Sequence, residues 1–342
     1  MKRIVLALSI PVFLMLACNL SGAVTSPPAA ELPVNTEVPL NPELPVNTEV
    51  PVRTEVPGVG STRISQTDGM TLIFVPDGDF TMGSDSSSYT SERPVHTIFL
   101  DSYWIDQTEV TNAMFEAFVA QSGYQTDAEK TGSSFVFNPG SRELMVGADW
   151  RHPQGPDSSL SNLSEHPVVH VSWNDALAYC EWAGRRLPTE ADWEKAARGT
   201  DARDYPWGDQ PPAGNLLNLG DASLAEIVDP ALVPAGINWP DRSIDDGYQF
   251  TAPVGSYPAG ASPYGALDMV GNVWEWVNDW AGEAYYQSSP SSNPGGPASG
   301  EDHIVRGGSF YDDKDGQRAA YRGWTAPVDT DFTLGFRCAL SE

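Results

Sequence analysis

The stretch Ser172-Trp-Asn-Asp-Ala-Leu-Ala-Tyr-Cys-Glu-Trp-Ala-Gly-Arg-Arg-Leu-Pro-Thr-Glu-Ala-Asp-Trp-Glu-Lys-Ala-Ala-Arg-Gly199 holds two helix signals back to back. Ser172 with Asp175, and Thr189 with Asp192, each match a capping box, in which hydroxyl and carboxylate satisfy each other's backbone N–H. Gly184 and Gly199 stop the two helices. Upstream, Thr111 opens a third helix over 112–121, with Met114, Phe115, Phe118 and Val119 at helical spacing. The runs Met70–Pro76, Val95–Leu100 and Tyr103–Ile105 are β-branched and aromatic and predict strands, with Asp77-Gly78-Asp79 as a turn between them. Beyond residue 200, Gly, Pro and Asn abound and helix signals are few. The pattern predicts an α+β domain with low regular secondary structure and many loops. Something other than secondary structure must pin those loops.

Outward from this stretch the chain changes character. It has 342 residues, with 19 basic and 46 acidic side chains and a formal net charge of −27. Such a charge argues against nucleic acid and against an anionic lipid surface, since both need a basic face. Excess carboxylates suit Ca²⁺ or a basic partner, or serve only solubility. Met1-Lys-Arg3 followed by the apolar run Ile4–Ala17 has the form of a signal peptide and is too short to span a bilayer, which needs about 20 residues. The run ends Leu14-Met-Leu-Ala-Cys18, which resembles the lipobox of bacterial lipoproteins, with Cys18 as the lipidated residue. Glu31-Leu-Pro-Val-Asn-Thr-Glu-Val-Pro39 then recurs unchanged as Glu43–Pro51. These copies have no aromatic residue and no face able to bury a core, so they predict an extended tether of roughly 3.1 Å per residue. The expected organisation is a leader over 1–18, a repeat linker over 19–67 and one large domain over 68–342. The chain would be exported and extracytoplasmic, held to the cell envelope through the lipid alone.

Within that domain a series of motifs is recognisable. They are Gly69-Met-Thr-Leu-Ile-Phe-Val-Pro-Asp-Gly-Asp-Phe-Thr-Met-Gly83, Thr108-Glu-Val-Thr-Asn112, Asp149-Trp-Arg-His-Pro-Gln-Gly-Pro-Asp157 and His166-Pro-Val-Val-His-Val-Ser-Trp-Asn-Asp-Ala176. Gly184–Glu194, Tyr205-Pro-Trp-Gly-Asp209, Gly271-Asn-Val-Trp-Glu-Trp276, Arg306-Gly-Gly-Ser309 and Leu334-Gly-Phe-Arg-Cys338 complete it. In sequence and order this series resembles the formylglycine-generating enzyme, or sulfatase-modifying factor, family. The resemblance implies a variant of the C-type-lectin-like fold. It implies a disulfide between Cys180 and Cys338, the two cysteines left once Cys18 is lipidated; the residues by themselves also permit two buried thiols. It also implies two structural Ca²⁺ ions. The first would take the Asn218 and Asp246 side chains with the carbonyls of Leu219 and Tyr248. The second would take Asp268 and Glu275 with the carbonyls of Gly271 and Val273. Oxygen ligands of this kind suit Ca²⁺, though such carboxylates also cap turns.

The family's activity converts a sulfatase cysteine to formylglycine with two cysteines that hold copper. They lie three and eight residues beyond the Ser of Arg-Gly-Gly-Ser, where this chain has Asp312 and Gln317. Copper(I) is soft and selects thiolate, so no copper is expected. A family Asn is also changed, to Thr333. Asp312, Asp313 and Asp315 with His303 offer hard ligands for another metal, and metal-assisted cleft chemistry is the alternative reading. The other reading of that segment is a solvated acidic turn around Gly316. His166 and His170 are four apart, but Pro167 and Val168-Val169 favour a strand over a metal-binding helix face. Phosphate loops, dinucleotide fingerprints and nucleophile elbows are absent from the sequence. Trp274, Ser309, Tyr321 and Arg322 join Asp312 and Gln317 as cleft candidates. The expected function is a binding or interaction module for a peptide or carbohydrate, without cysteine-oxidase activity. Sulfatase maturation by an unusual route ranks last.

Overall fold

The computed structural model describes residues 56–139, 141–233 and 238–342. The leader with Cys18 and the two full repeats lie outside them. Among the described residues, twelve short strands and five α-helices follow in chain order. The N-terminal part contains β1 (Thr62–Ile64), β2 (Thr71–Val75), β3 (Gly78–Met82), β4 (His96–Leu100) and β5 (Tyr103–Asp106), then α1 (Asn112–Ser122) and α2 (Asp127–Thr131). Next come β6 (Ser133–Asn138), β7 (Ser141–Val146), α3 (Trp173–Trp182), α4 (Glu190–Arg198) and α5 (Ala222–Ala225). The last part supplies β8 (Trp274–Trp280), β9 (His303–Arg306), β10 (Arg322–Thr325), β11 (Leu334–Phe336) and β12 (Ala339–Ser341). Among the described residues no helix is long and apolar enough to cross a membrane.

Two four-stranded sheets, in the orders β1-β2-β5-β12 and β10-β9-β8-β11, are accompanied by the hairpins β3-β4 and β6-β7. The first sheet joins the start of the domain to its end, because β5 pairs with both β2 and β12. Strand β1 lies within the segment assigned to the linker: Thr62–Ile64 pairs antiparallel with Thr71–Ile73. Three exposed residues without an apolar alternation give no strand signal in the sequence.

The two capping boxes form as read: the Ser172 hydroxyl accepts from the Asp175 N–H, and that of Thr189 accepts from the Asp192 N–H. Thr126 and Glu129 make a third box on α2, which the sequence reading passed over because five residues present no apolar face. Residues 166–171 form neither a helix nor a regular strand. His170, at a φ of 59°, is wholly buried. Its Nδ1 lies 2.7 Å from Ser134 Oγ and its Nε2 lies 2.9 Å from the Pro153 carbonyl, so it fastens β6 to two loops.

The core is divided in two. One cluster packs Ile73, Val75, Phe80 and Ile98 against Trp193 of α4. The other gathers Phe115, Phe118, Trp150, Tyr179, Trp276 and Phe336 around a disulfide between Cys180 of α3 and Cys338. Between these clusters, ion pairs do what longer elements would do elsewhere. Glu194 accepts from the Gly83 N–H, from Arg198 and from Arg306. Glu190 takes Arg322 through both carboxylate oxygens, at 2.6 and 2.8 Å. Burial pushes the Glu190 carboxyl up, but Arg322 and Arg306 outweigh it and hold the group below the usual range.

The disulfide spans a sequence separation of 158. In the chain-entropy account a loop of that length contributes on the order of 4–5 kcal/mol. The double variant Cys180→Ser/Cys338→Ser is expected to lose about 3–5 kcal/mol in urea unfolding; a loss below about 1 kcal/mol would assign the restraint of α3 to packing alone.

Candidate functional site

The segment that replaces the thiol pair begins where β9 ends. Gly308 sits at a φ of 72°, and a Cβ there would stand 2.7 Å from Gln317 Oε1 and 2.8 Å from the Gly316 carbonyl, so only glycine lets the loop close. Asp312 is the loop's hub. Its Oδ2 accepts from the Ser309 N–H at 3.0 Å, the Ser309 hydroxyl at 2.5 Å and the Trp274 indole at 2.8 Å. Burial pushes its carboxyl up to about 6 against the pull of those bonds. The Gln317 amide donates to the Ser309 carbonyl at 2.8 Å, and its Oε1 is buried without a partner. Asp313 accepts from the N–H groups of Asp315 and Gly316, which closes an exposed acidic turn.

Two pockets meet at this loop and share the side chains of Tyr311 and Asp312. One, of 310 Å³, is lined by Trp274, Trp324, Asp331 and Thr333 among others. The other, of 400 Å³, is lined by Tyr89, Trp239, Tyr321 and Asp313 with Gly316. Thr333, the changed family Asn, donates its hydroxyl and its N–H to Asp331 at the mouth of the first pocket. Of the sequence candidates, Trp274, Asp312 and Tyr321 therefore come together at the surface of the cleft. Ser309 and Gln317 lie beneath it, fully buried, as supports of the loop. Arg322 lines neither pocket: it is buried, bonded to Glu190 and set 4.3 Å above the Tyr286 ring, so it belongs to the ion-pair lattice. Tyr89, Trp239 and Tyr311 were missed by the sequence reading, because they stand far apart in the chain and outside every motif.

The alternative metal set is not assembled. His303 is buried in a stack between Trp173 and Trp280, at 4.0 and 3.8 Å between ring centroids, and burial lowers its pKa to about 4. Among the described residues no group of three His, Cys, Asp or Glu side chains converges as a metal site.

The two oxygen sets assigned to Ca²⁺ are placed differently. At the first, Asn218 is buried with Nδ2 donating to Phe250 and Asn272, while its Oδ1 has no partner. The Asp246 carboxylate accepts from the N–H groups of Leu219 and Tyr248, and burial pushes it up to about 7. Among the described residues the carbonyls of Leu219, Tyr248 and Gly271 accept no hydrogen bond. At the second set, Glu275 is paired with Arg337 through both oxygens at 2.7 Å and also accepts from the Trp193 indole. Burial and the neighbouring charge of Glu275 push Asp268 up to about 6. Glu109, another residue missed by the sequence reading, stands in the same place. Its Oε1 accepts from Asn272, its Oε2 is buried without a partner, and burial beside Asp268 and Glu275 pushes it well up. Its signal was the Thr108-Glu-Val-Thr-Asn112 motif. Orphaned oxygens and raised carboxyls are what a hard cation relieves, and Asn218 with Asp246, and Glu109 with Asp268, offer them, whereas Glu275 is already satisfied by Arg337 and Trp193.

With this geometry in hand, the wider comparison is direct. The profile of the sulfatase-modifying factor enzyme 1-like domain matches residues 60–342. The chain belongs to that family, the family of the formylglycine-generating enzymes. It is 40% identical over 296 residues to the formylglycine-generating enzyme of Mus musculus, covering 79% of this chain and 75% of the mouse protein. To the mouse protein named inactive C-alpha-formylglycine-generating enzyme 2 it is 38% identical over 295 residues, covering 79% and 85%. Among solved structures, PvdO from Pseudomonas aeruginosa superposes with a TM-score of 0.63 at 25% identity, covering 83% of this chain and 99% of that one. Copper does not fit the cleft here. Asp312 and Gln317 supply a carboxylate and an amide tied to the loop, and Cys180 and Cys338 are consumed by the disulfide.

The Asp312 carboxyl gives a pH signature. Its folded value of about 6 lies above the ordinary 3.8, so its protonated form stabilises the fold fully below about 4 and the contribution is lost as pH rises through 6. The stability gap between wild type and Asp312→Asn in urea is expected to be wider at pH 4 than at pH 7; a gap independent of pH would mean that the carboxyl titrates as an ordinary aspartate.

Proposed function

We propose that this chain is an exported, lipid-anchored member of the family whose cleft binds a ligand and does not oxidise cysteine. One observation carries the reading: the positions that would need thiols hold Asp312 and Gln317, and both are built into the loop as hydrogen-bonding supports. Identity to the mouse relatives does not weigh against it, because the active and the inactive enzyme are matched almost equally, at 40% and 38%. The cleft has the qualities of a binding site. Seven aromatic side chains line its two pockets, and a few fixed polar groups orient what enters. Its ligand class is a peptide segment or a carbohydrate.

In this reading the loops are held by Ca²⁺ in addition to the disulfide. Asn218 and Asp246 would hold one ion, and Asp268 with Glu275, now joined by Glu109, the other. The ions would supply charge compensation and stiffness, well away from any bond being broken.

Two measurements check these proposals. Incubated with copper and a Cys-Xaa-Pro-Xaa-Arg peptide, the protein is expected to leave the peptide thiol intact by mass, and to retain peptides or glycans on an array without altering them. Loss of the thiol would overturn the reading. Calorimetry on chelator-treated protein is expected to give saturable heat with Ca²⁺ and a higher Tm; no heat and no gain in Tm would remove calcium from the account.

A further inference from the structure

The pocket beside Asp312 has walls of an unusual kind. Tyr89 and Tyr321 meet edge to face at 5.0 Å on one side, and Trp239 and Tyr311 meet at 4.8 Å on the other. Each pair is locked from behind. The Trp239 indole donates to the Tyr311 carbonyl at 2.6 Å, and Tyr321 packs against Trp274 at 5.8 Å. All four rings line one cavity of 400 Å³, and Asp312 and Asp313 line it with them.

The charge in this pocket is uncompensated. Among the described residues neither Asp312 nor Asp313 forms an ion pair, although many carboxylates of this acidic chain do. Asp312 spends one oxygen on Ser309 and Trp274, and its Oδ1 has no hydrogen-bond partner among the described residues. The nearby rings already attract a cation. The Arg318 guanidinium stands 6.0 Å from the Tyr89 ring and 5.8 Å from that of Tyr321. That cation is spoken for, because both its terminal nitrogens reach Glu92 at 2.8 Å. What remains is a cavity with electron-rich ring walls and, in its lining, a carboxylate held in place by Ser309 and Trp274. Ring faces attract cations through their quadrupole, most strongly where water is excluded, and a pre-oriented carboxylate adds a charge-assisted hydrogen bond. A neutral sugar would stack on the rings and donate hydroxyls to Asp312, but would leave its charge without a counter-charge. An anion would be repelled.

We propose that this pocket binds an alkylammonium group, the chemistry of a lysine side chain or of a small free amine. The ammonium would donate to Asp312 Oδ1 while its alkyl stem lies between the two aromatic pairs. The proposal rests on the reading of the cleft as a binding site and names the class of its ligand.

Isothermal titration of the full chain at fixed ionic strength tests it, with n-butylammonium chloride in one arm and acetyl-Gly-Lys-Gly-amide in the other. The norleucine analogue of the peptide is the uncharged control. Saturable binding of a cation is expected, weakened about tenfold or more by Asp312→Asn and about three- to tenfold by Tyr89→Ala. Tyr89 is 43% exposed, so its loss leaves the fold intact, and circular dichroism checks that both variants are folded. Tighter binding of the peptide points to a protein partner, and equal binding to a free amine; both support the proposal. Absence of saturable heat from either cation would overturn it, as would equal affinity for the norleucine peptide or affinity unchanged in folded Tyr89→Ala. Ligand retention on an array without any charge preference would sink this inference and leave the binding reading standing, whereas oxidation of a peptide thiol would sink that reading itself.

Discussion

The architecture depends on the burial of a charged helix. All nine residues of α4 are inside, although five of them are ionisable. Such a helix is tolerable only if every charge finds a partner, since a buried ion left alone costs several kcal/mol. The partners come from the length of the domain. Lys195 reaches the carbonyls of Pro76 and Gly78, Glu194 holds the Gly83 N–H and Arg306, and Glu190 holds Arg322. Helix α4 thereby fixes the β3 hairpin, β9 and β10 relative to one another. Strand β9 runs straight into Arg306-Gly-Gly-Ser309, so the loop that carries Asp312 inherits its position from this lattice.

The same constraint explains how much could be read in advance. Helices α1, α3 and α4 were legible because hydroxyl caps and stop glycines are local chemistry. Strands β2, β4 and β5 were legible because β-branched and aromatic residues fill them. Helix α5 and strand β1 were not, since four and three residues are too few to show a period. The partnerships of the charged residues were hidden altogether: Arg322 was a cleft candidate in the sequence, and only its pairing with Glu190 shows that it faces inward. The disulfide and the oxygen sets entered through resemblance, and in the structure the cysteines are bonded while Asn218 Oδ1 and Glu109 Oε2 are buried without partners.

In the proposed reading, the cleft is a scaffold that has outlasted its chemistry. Trp274 lies in a family motif, and Ser309 closes another, yet both now donate to the Asp312 carboxylate. A thiol at that position would accept such bonds weakly, whereas a carboxylate accepts them strongly and becomes part of the wall. Replacing sulfur by oxygen therefore exchanges a soft metal site for a fixed negative one without disturbing the loop's turns, which are set by Gly308 and by the Asp313 side chain. Trp274 apart, the aromatic side chains of the pocket beside Asp312, Tyr89, Trp239, Tyr311 and Tyr321, come from segments outside the motifs, so the ligand range of the cleft is free to differ from that of relatives with the same core.

The central claim is that Asp312 and Gln317, standing where two thiols would be needed, keep copper out of this cleft. Competition for Cu(I) against a colorimetric chelator tests it, with wild type compared with Asp312→Cys/Gln317→Cys. The account predicts that wild type leaves the metal with the chelator and that the double variant withdraws one equivalent. Withdrawal of copper by wild type would contradict it.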